Sequence, residues 1–100
     1  MIIESIILLA IAAAQIASAI YIVYLVFGEI IDWFQSRQKV DRNEICFTLQ
    51  DRFASGNYKI VQGVLNKSAN TLDNVRQIES SRIDNELADY HRFNDLVVYN

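Results

Sequence analysis

The side chains able to carry chemistry near neutral pH are few: one cysteine, Cys46, one histidine, His91, and three acids just ahead of that histidine, Asp84, Glu86 and Asp89. A lone cysteine closes no intramolecular disulfide, and zinc needs several Cys or His ligands at set spacings. Cys46 therefore reads as a small, buried, apolar side chain suited to a reducing compartment. His91 titrates in the physiological range when unperturbed. Its position four residues after Leu87 puts it at the edge of an apolar helical face, where a histidine usually serves a local hydrogen bond. Acids near a helix start suit the macrodipole and solvation. Paired carboxylates become catalytic only in a cleft that desolvates one of them. The sequence has no phosphate-cradling glycine loop, no nucleophile elbow and no metal-ligand spacing. Gly28, Gly56 and Gly63 are too dispersed for a ligand loop, and Gly63 inside a strand pattern points to a bulge or close packing. The expectation is a protein that is not an enzyme and uses no cofactor or metal.

Those residues must be positioned by a short chain. One hundred residues make one domain, or one small domain with an anchor. Charge is distributed unevenly: no charged residue lies between Ser5 and Gly28, whereas Glu29 to Asn100 carries eleven of the twelve acids and all nine bases. That later part has a net charge of minus two, with its bases scattered singly from Arg37 to Arg92. Nucleic acid needs clustered Lys and Arg with aromatic stacking platforms, so no nucleic-acid partner is expected.

The uncharged stretch predicts a membrane anchor. As a helix its 24 residues would span about 36 Å, enough for a hydrocarbon core of about 30 Å. Between Ile6 and Phe27 twelve residues are Ile, Leu, Val or Phe, which favour insertion by very roughly 4 to 7 kcal/mol; Gln15 costs less than that. A cleaved signal peptide is suggested by Ala17-Ser18-Ala19, but no Lys or Arg precedes the apolar run, which continues past that site. A helix buried in a water-soluble core should show a polar stripe, and none is visible. The flanking bases Arg37, Lys39 and Arg42 predict the N-terminus outside and the rest of the chain in the cytoplasm. Tyr21, Tyr24, Trp33, Arg37 and Lys39 are the expected membrane-interface anchors. Ala10, Ala14 and Ser18 recur every four residues, with Ala13 and Ala17 beside them. This small-residue groove, edged by Gln15, is a candidate helix–helix interface.

Beyond the anchor, Ile30, Ile31, Trp33 and Phe34 against Glu29, Asp32, Gln35, Arg37 and Lys39 predict an amphipathic juxtamembrane helix. Ile45, Leu49 and Phe53 at four-residue spacing predict a further helix over 42–54, ended by Gly56. Tyr58 to Leu65 and Thr71 to Ile78 read as a hairpin joined by the loop 66–70. Ser81 and Asp84 signal a short helix carrying Ile83, Leu87 and Tyr90. Leu96 to Tyr99 reads as a strand buried on both faces, joined to the second hairpin strand by a crossover that should be right-handed if both share one sheet.

The predicted fold class is therefore a single-pass transmembrane α-helix followed by a small α+β domain: helix, β-hairpin, short helix and C-terminal strand, with about three strands. Its parts are the anchor over 1–28, the juxtamembrane helix over 29–41 and a cytoplasmic α+β domain over 42–100. About 60 residues outside the membrane make a marginal core, which invites a partner. The function expected is a membrane-anchored accessory or scaffold subunit whose partners are the lipid bilayer and another membrane protein or a second copy. The alternatives are a tethered sensor binding a peptide or small ligand, and a holin- or toxin-like membrane-active protein.

Overall fold

The computed structural model describes residues 2–16, 18–37, 44–69 and 71–99. The order is α1 (Ile2–Ile16), β1 (Ala19–Leu25), α2 (Phe27–Arg37), β2 (Glu44–Arg52), β3 (Tyr58–Asn66), β4 (Thr71–Ile83), α3 (Asn85–Tyr90) and β5 (Leu96–Val98). The strands form one mixed sheet in the order β1-β4-β3-β2-β5, with β1 parallel to β4 and every other neighbouring pair antiparallel.

The expected transmembrane helix over 1–28 is not formed: the run divides into α1 and β1. Among the described residues no helix is long and apolar enough to cross a membrane. The fifteen residues of α1 rise about 22 Å, short of a core of about 30 Å. Hydrophobicity is uniform along the run, but conformational preference is not. Ala10, Ala12, Ala13 and Ala14 favour helix, whereas Ile20, Tyr21, Ile22, Val23 and Tyr24 are β-branched or aromatic and favour strand. The single-pass architecture, and with it the placement of the N-terminus outside and the remainder in the cytoplasm, is overturned by this division.

Two apolar layers flank the sheet. α1 lies on β3 and β4, burying Ile6 and Ala10 against Ile45, Phe47, Val61 and Leu65. On the opposite face, Phe27, Ile30, Trp33 and Phe34 of α2 and Leu87 of α3 pack on Cys46, Ile60, Val64 and Ile78. The amphipathic character expected just after Gly28 is thus spent on the sheet. Its carbonyl at Ile30 accepts a 2.8 Å hydrogen bond from the fully buried Gln62 amide, whose oxygen accepts from Arg76 Nε at 2.8 Å. Burying an amide is tolerable only with such partners.

The helix expected over 42–54 is strand β2. Its four-residue spacing of Ile45 and Leu49 also satisfies a period of two, and Phe47 between them settles which period applies. A helix would turn Phe47 away from Ile45, whereas the strand puts both on the α1 face. Gly56, at φ 93°, closes the β2–β3 turn instead of ending a helix. β3 and β4 form the hairpin read at 58–65 and 71–78, and β4 runs on to Ile83, so Asp84 caps α3 and Ser81 stays in the strand. β5 pairs antiparallel with β2, three places from β4, so no parallel crossover joins them. Among the described residues five strands replace the expected three.

Gly63 sits opposite Phe47 in the β2–β3 register. A Cβ there would come within 2.8 Å of Phe47 Cζ and 3.1 Å of the Asn74 carbonyl. The glycine is therefore the floor on which a core aromatic lies, the close-packing role its position in a strand implied.

Candidate functional site

β1 ends at Leu25, which is fully buried in the layer under α2. Two contacts from beyond β4 hold that end. The Asp84 N–H donates to the Leu25 carbonyl at 3.0 Å, and the Asp84 carboxylate accepts from the Phe27 N–H and the Leu87 N–H, each at 3.0 Å. One carboxylate thus occupies the donor ends of both α2 and α3, where orphan N–H groups and the dipole favour an anion. It also fixes the direction in which β1 leaves the sheet.

The remainder of β1 is open. Its side chains alternate between faces, and neither helical layer reaches far enough to cover them. Tyr21 is 55% and Val23 61% exposed on the α1 side, and Ile20 and Tyr24 are similarly exposed on the other. Tyr21 hydrogen-bonds through its hydroxyl to Ser81, and the Arg82 guanidinium stacks 4.6 Å from the Tyr24 ring centroid. Both rings are thereby tied to side chains of β4.

The outer rim carries main-chain groups as well. The Leu25 carbonyl is turned toward the β4 end of the chain, and the Val23 carbonyl lies 3.4 Å from Ser80 Oγ of β4. Main-chain direction alternates along a strand, so Ile20, Ile22 and Tyr24 turn their N–H and C=O groups to the free edge. Among the described residues the sheet order leaves no strand beyond them. Natural edge strands are usually guarded by Lys, Pro, a bulge or shortness. β1 is seven residues of Ala, Ile, Tyr, Val and Leu and has none of these guards.

The other sheet face holds a buried polar chain. Thr48 Oγ1 lies 2.7 Å from His91 Nε2 and 2.6 Å from the Tyr99 hydroxyl, and His91 Nδ1 lies 3.1 Å from the Asn94 carbonyl. A carbonyl cannot donate, so Nδ1 carries the proton; in the neutral ring Nε2 then accepts from Thr48, and Thr48 accepts from Tyr99. Burial lowers the His91 pKa, opposed by the Asn94 carbonyl and by Asp95, which keeps the ring neutral. Desolvation pushes the Tyr99 phenol up to about 12. Burial first, and then Glu44, raises the pKa of the Cys46 thiol, which is 3% exposed and so far from a reactive thiolate. Every hydrogen bond of the Thr48 chain ends inside the protein, so its evident work is to tie β2 to the α3–β5 segment.

The remaining candidates scatter. Ala10 is in the core and Ala13 half-buried, while Gln15 lines an open hollow of about 220 Å³ with Leu49, Asp51 and Lys59. Ser18 is exposed between α1 and β1. Ala17, Lys39 and the side chain of Ala14 lie outside the described residues. Of the expected interface anchors, Tyr21 and Tyr24 stand on β1, Trp33 is buried with the Arg37 and Arg76 guanidinium groups 4.8 and 5.1 Å from its ring centroid, and Arg37 is exposed at the end of α2. Asp84 joins two helix starts, whereas Glu86 and Asp89 face solvent and Asp89 pairs with Arg92. Among the described residues no group of three His, Cys, Asp or Glu side chains is placed to hold a metal ion. Sequence reasoning missed the rim of Ile20, Ile22 and Tyr24; the alternation-blind run of β-branched and aromatic residues from Ile20 to Tyr24 was the available signal. No protein-family model, curated protein or solved structure matches this chain.

Proposed function

We propose that this chain is a protein-association module, an accessory or scaffold subunit that joins a larger assembly by strand addition at β1. One observation carries the reading: a seven-residue edge strand without a charge or a proline, open on its rim and largely on both faces. Strand addition draws affinity from main-chain hydrogen bonds and selectivity from alternate side chains. Ile20, Ile22 and Tyr24 supply the first; the exposed rings and methyl groups of β1 supply the second. An apolar strand left open in water is an aggregation hazard, so an occupied edge is the economical state.

Amide hydrogen exchange on the protein isolated gently from its natural source tests this. The Ile20, Ile22 and Tyr24 amides should exchange at least tenfold more slowly than in a denatured and rapidly diluted sample. Amides on that rim exchanging as freely as those of exposed turns, while β3 stays protected, would remove the basis for the proposal.

A further inference from the structure

Granting that β1 is an association edge, the geometry points to a second copy of the same chain as its occupant, paired antiparallel about a two-fold axis through Ile22. The register follows from which groups face outward. With Ile20, Ile22 and Tyr24 presenting N–H and C=O to the rim, an axis at Ile22 makes Ile22 and its symmetry mate a hydrogen-bonded pair. Ile20 then meets Tyr24 of the other copy in two further such pairs. About six main-chain hydrogen bonds result, none of them strained by an offset.

Side chains agree with that register. On one face Ile22 meets Ile22 and Ile20 meets Tyr24; on the other Tyr21 meets Val23, while Leu25, opposite Ala19 in register, keeps its side chain in its own core. Pairs of β-branched with aromatic residues are the favourable kind across strands, and no like charges are brought together because β1 has no charge. A peptide of unrelated sequence would need an equally uncharged strand of matching length.

Size is sufficient. Ile20, Tyr21, Val23, Tyr24 and Val26 together expose roughly 500 Å² per copy, so full coverage in a symmetric pair reaches about 1,000 Å², main chain included, the lower bound for a specific interface. The product is also closed. Ten strands would run from one copy's β5 to the other's, and β5 is only three residues long, so the sheet offers little to a third copy.

Sedimentation of the full chain across a concentration series, joined to one distance measurement, tests the pairing. The expected species is a dimer. Ser18 is exposed and would lie opposite residue 26 of the other copy. Nitroxides on Ser18→Cys should therefore be separated by about 27 Å at 3.4 Å per residue, while the buried Cys46 stays unlabelled. Val23→Lys should raise the dimer dissociation constant at least tenfold, with the near-ultraviolet circular dichroism of the monomer unchanged. A separation of about 5 Å, which indicates parallel strands, or an open-ended series of larger species would overturn the inference. So would a monomer at every concentration. A monomer whose rim amides are protected in the natural-source sample leaves strand addition to a different partner standing; a monomer with unprotected rim amides sinks both.

Discussion

The two ends of the sheet are built in opposite ways. β5 is three residues long, follows the polar turn through Asn94 and Asp95, and is fastened by the Asp95 carbonyl to Gln50, by the Tyr99 N–H to Cys46 and by the Tyr99 hydroxyl to Thr48. β1 is more than twice as long, has no polar side chain except two tyrosine hydroxyls, and among the described residues is fastened along its inner side and at Leu25. A short edge with its neighbours' polar groups turned inward resists pairing; a long, uncharged and open one invites it. Position at the edge of a sheet therefore says little about association until the guards on that edge are counted.

The contrast breaks if β5 owes nothing to its polar chain. Thr48→Val keeps the volume but orphans the acceptor at His91 Nε2 and the donor at Tyr99, and should cost about 2 to 3 kcal/mol, read from the urea midpoint. The amides of Gln50 and Tyr99 should lose protection before those of β3 and β4. Loss spread evenly over the sheet would show that β5 is held by packing alone.

At the other end, Asp84→Ala removes the carboxylate shared by α2 and α3 and should cost about 1 to 2 kcal/mol by the usual worth of a helix cap. Exchange at Phe27 and Leu87 should quicken together. Asp84→Asn should recover part of the loss, because an amide oxygen still accepts.

Matched lysines sharpen the comparison of the edges themselves. Val98 is 42% exposed on β5, and Val98→Lys should alter association less than twofold. Val23→Lys on β1 should weaken it by a factor of ten, about 1.4 kcal/mol. Equal effects would mean that association is not edge-specific.

The smallest effect is on pH. His91 binds its proton less readily folded than unfolded, so the unfolded chain carries more protons at moderately acid pH and stability falls as pH falls. The contribution is whole above the ordinary histidine value of 6.5 and is lost as pH drops below it toward the folded value. The slope should stay below about 1.4 kcal/mol per pH unit, the limit for one proton. Groups facing His91 include Asp95, Thr48 and Tyr99, and His91→Gln should flatten the slope. A profile that stays the same after that substitution would locate the titration elsewhere.

Much of the C-terminal half can be read along the chain. The polar loop after Asn66 and the β-branched and aromatic runs flanking it identify the β3–β4 hairpin, and Leu87 with its neighbours identifies α3 within a few residues. β2 is misread because Ile45 and Leu49 fit both periods, and the residue that separates the periods, Phe47, is informative only once it is known to share a floor with Gly63. The association edge is hidden for a different reason. Tyr21 and Tyr24 resemble anchors at a lipid interface when the run is taken as one helix, and become an open rim only when the run divides into α1 and β1.

The sequence alone determined where charge is absent, that the chain has one cysteine and one histidine, and that the segment after Gly28 must bury one face. These are properties of composition and of short spacing, which need no partner to be defined. Tertiary structure decided the rest: that α1 covers β3 and β4, that β1 lies parallel beside β4 and reaches past both helical layers, and that Asp84 serves two helices at once. Transfer from water rewards burial without regard to secondary structure, so an evenly apolar run does not reveal how it will be divided. Only pairing with strands more than fifty residues away fixes that division.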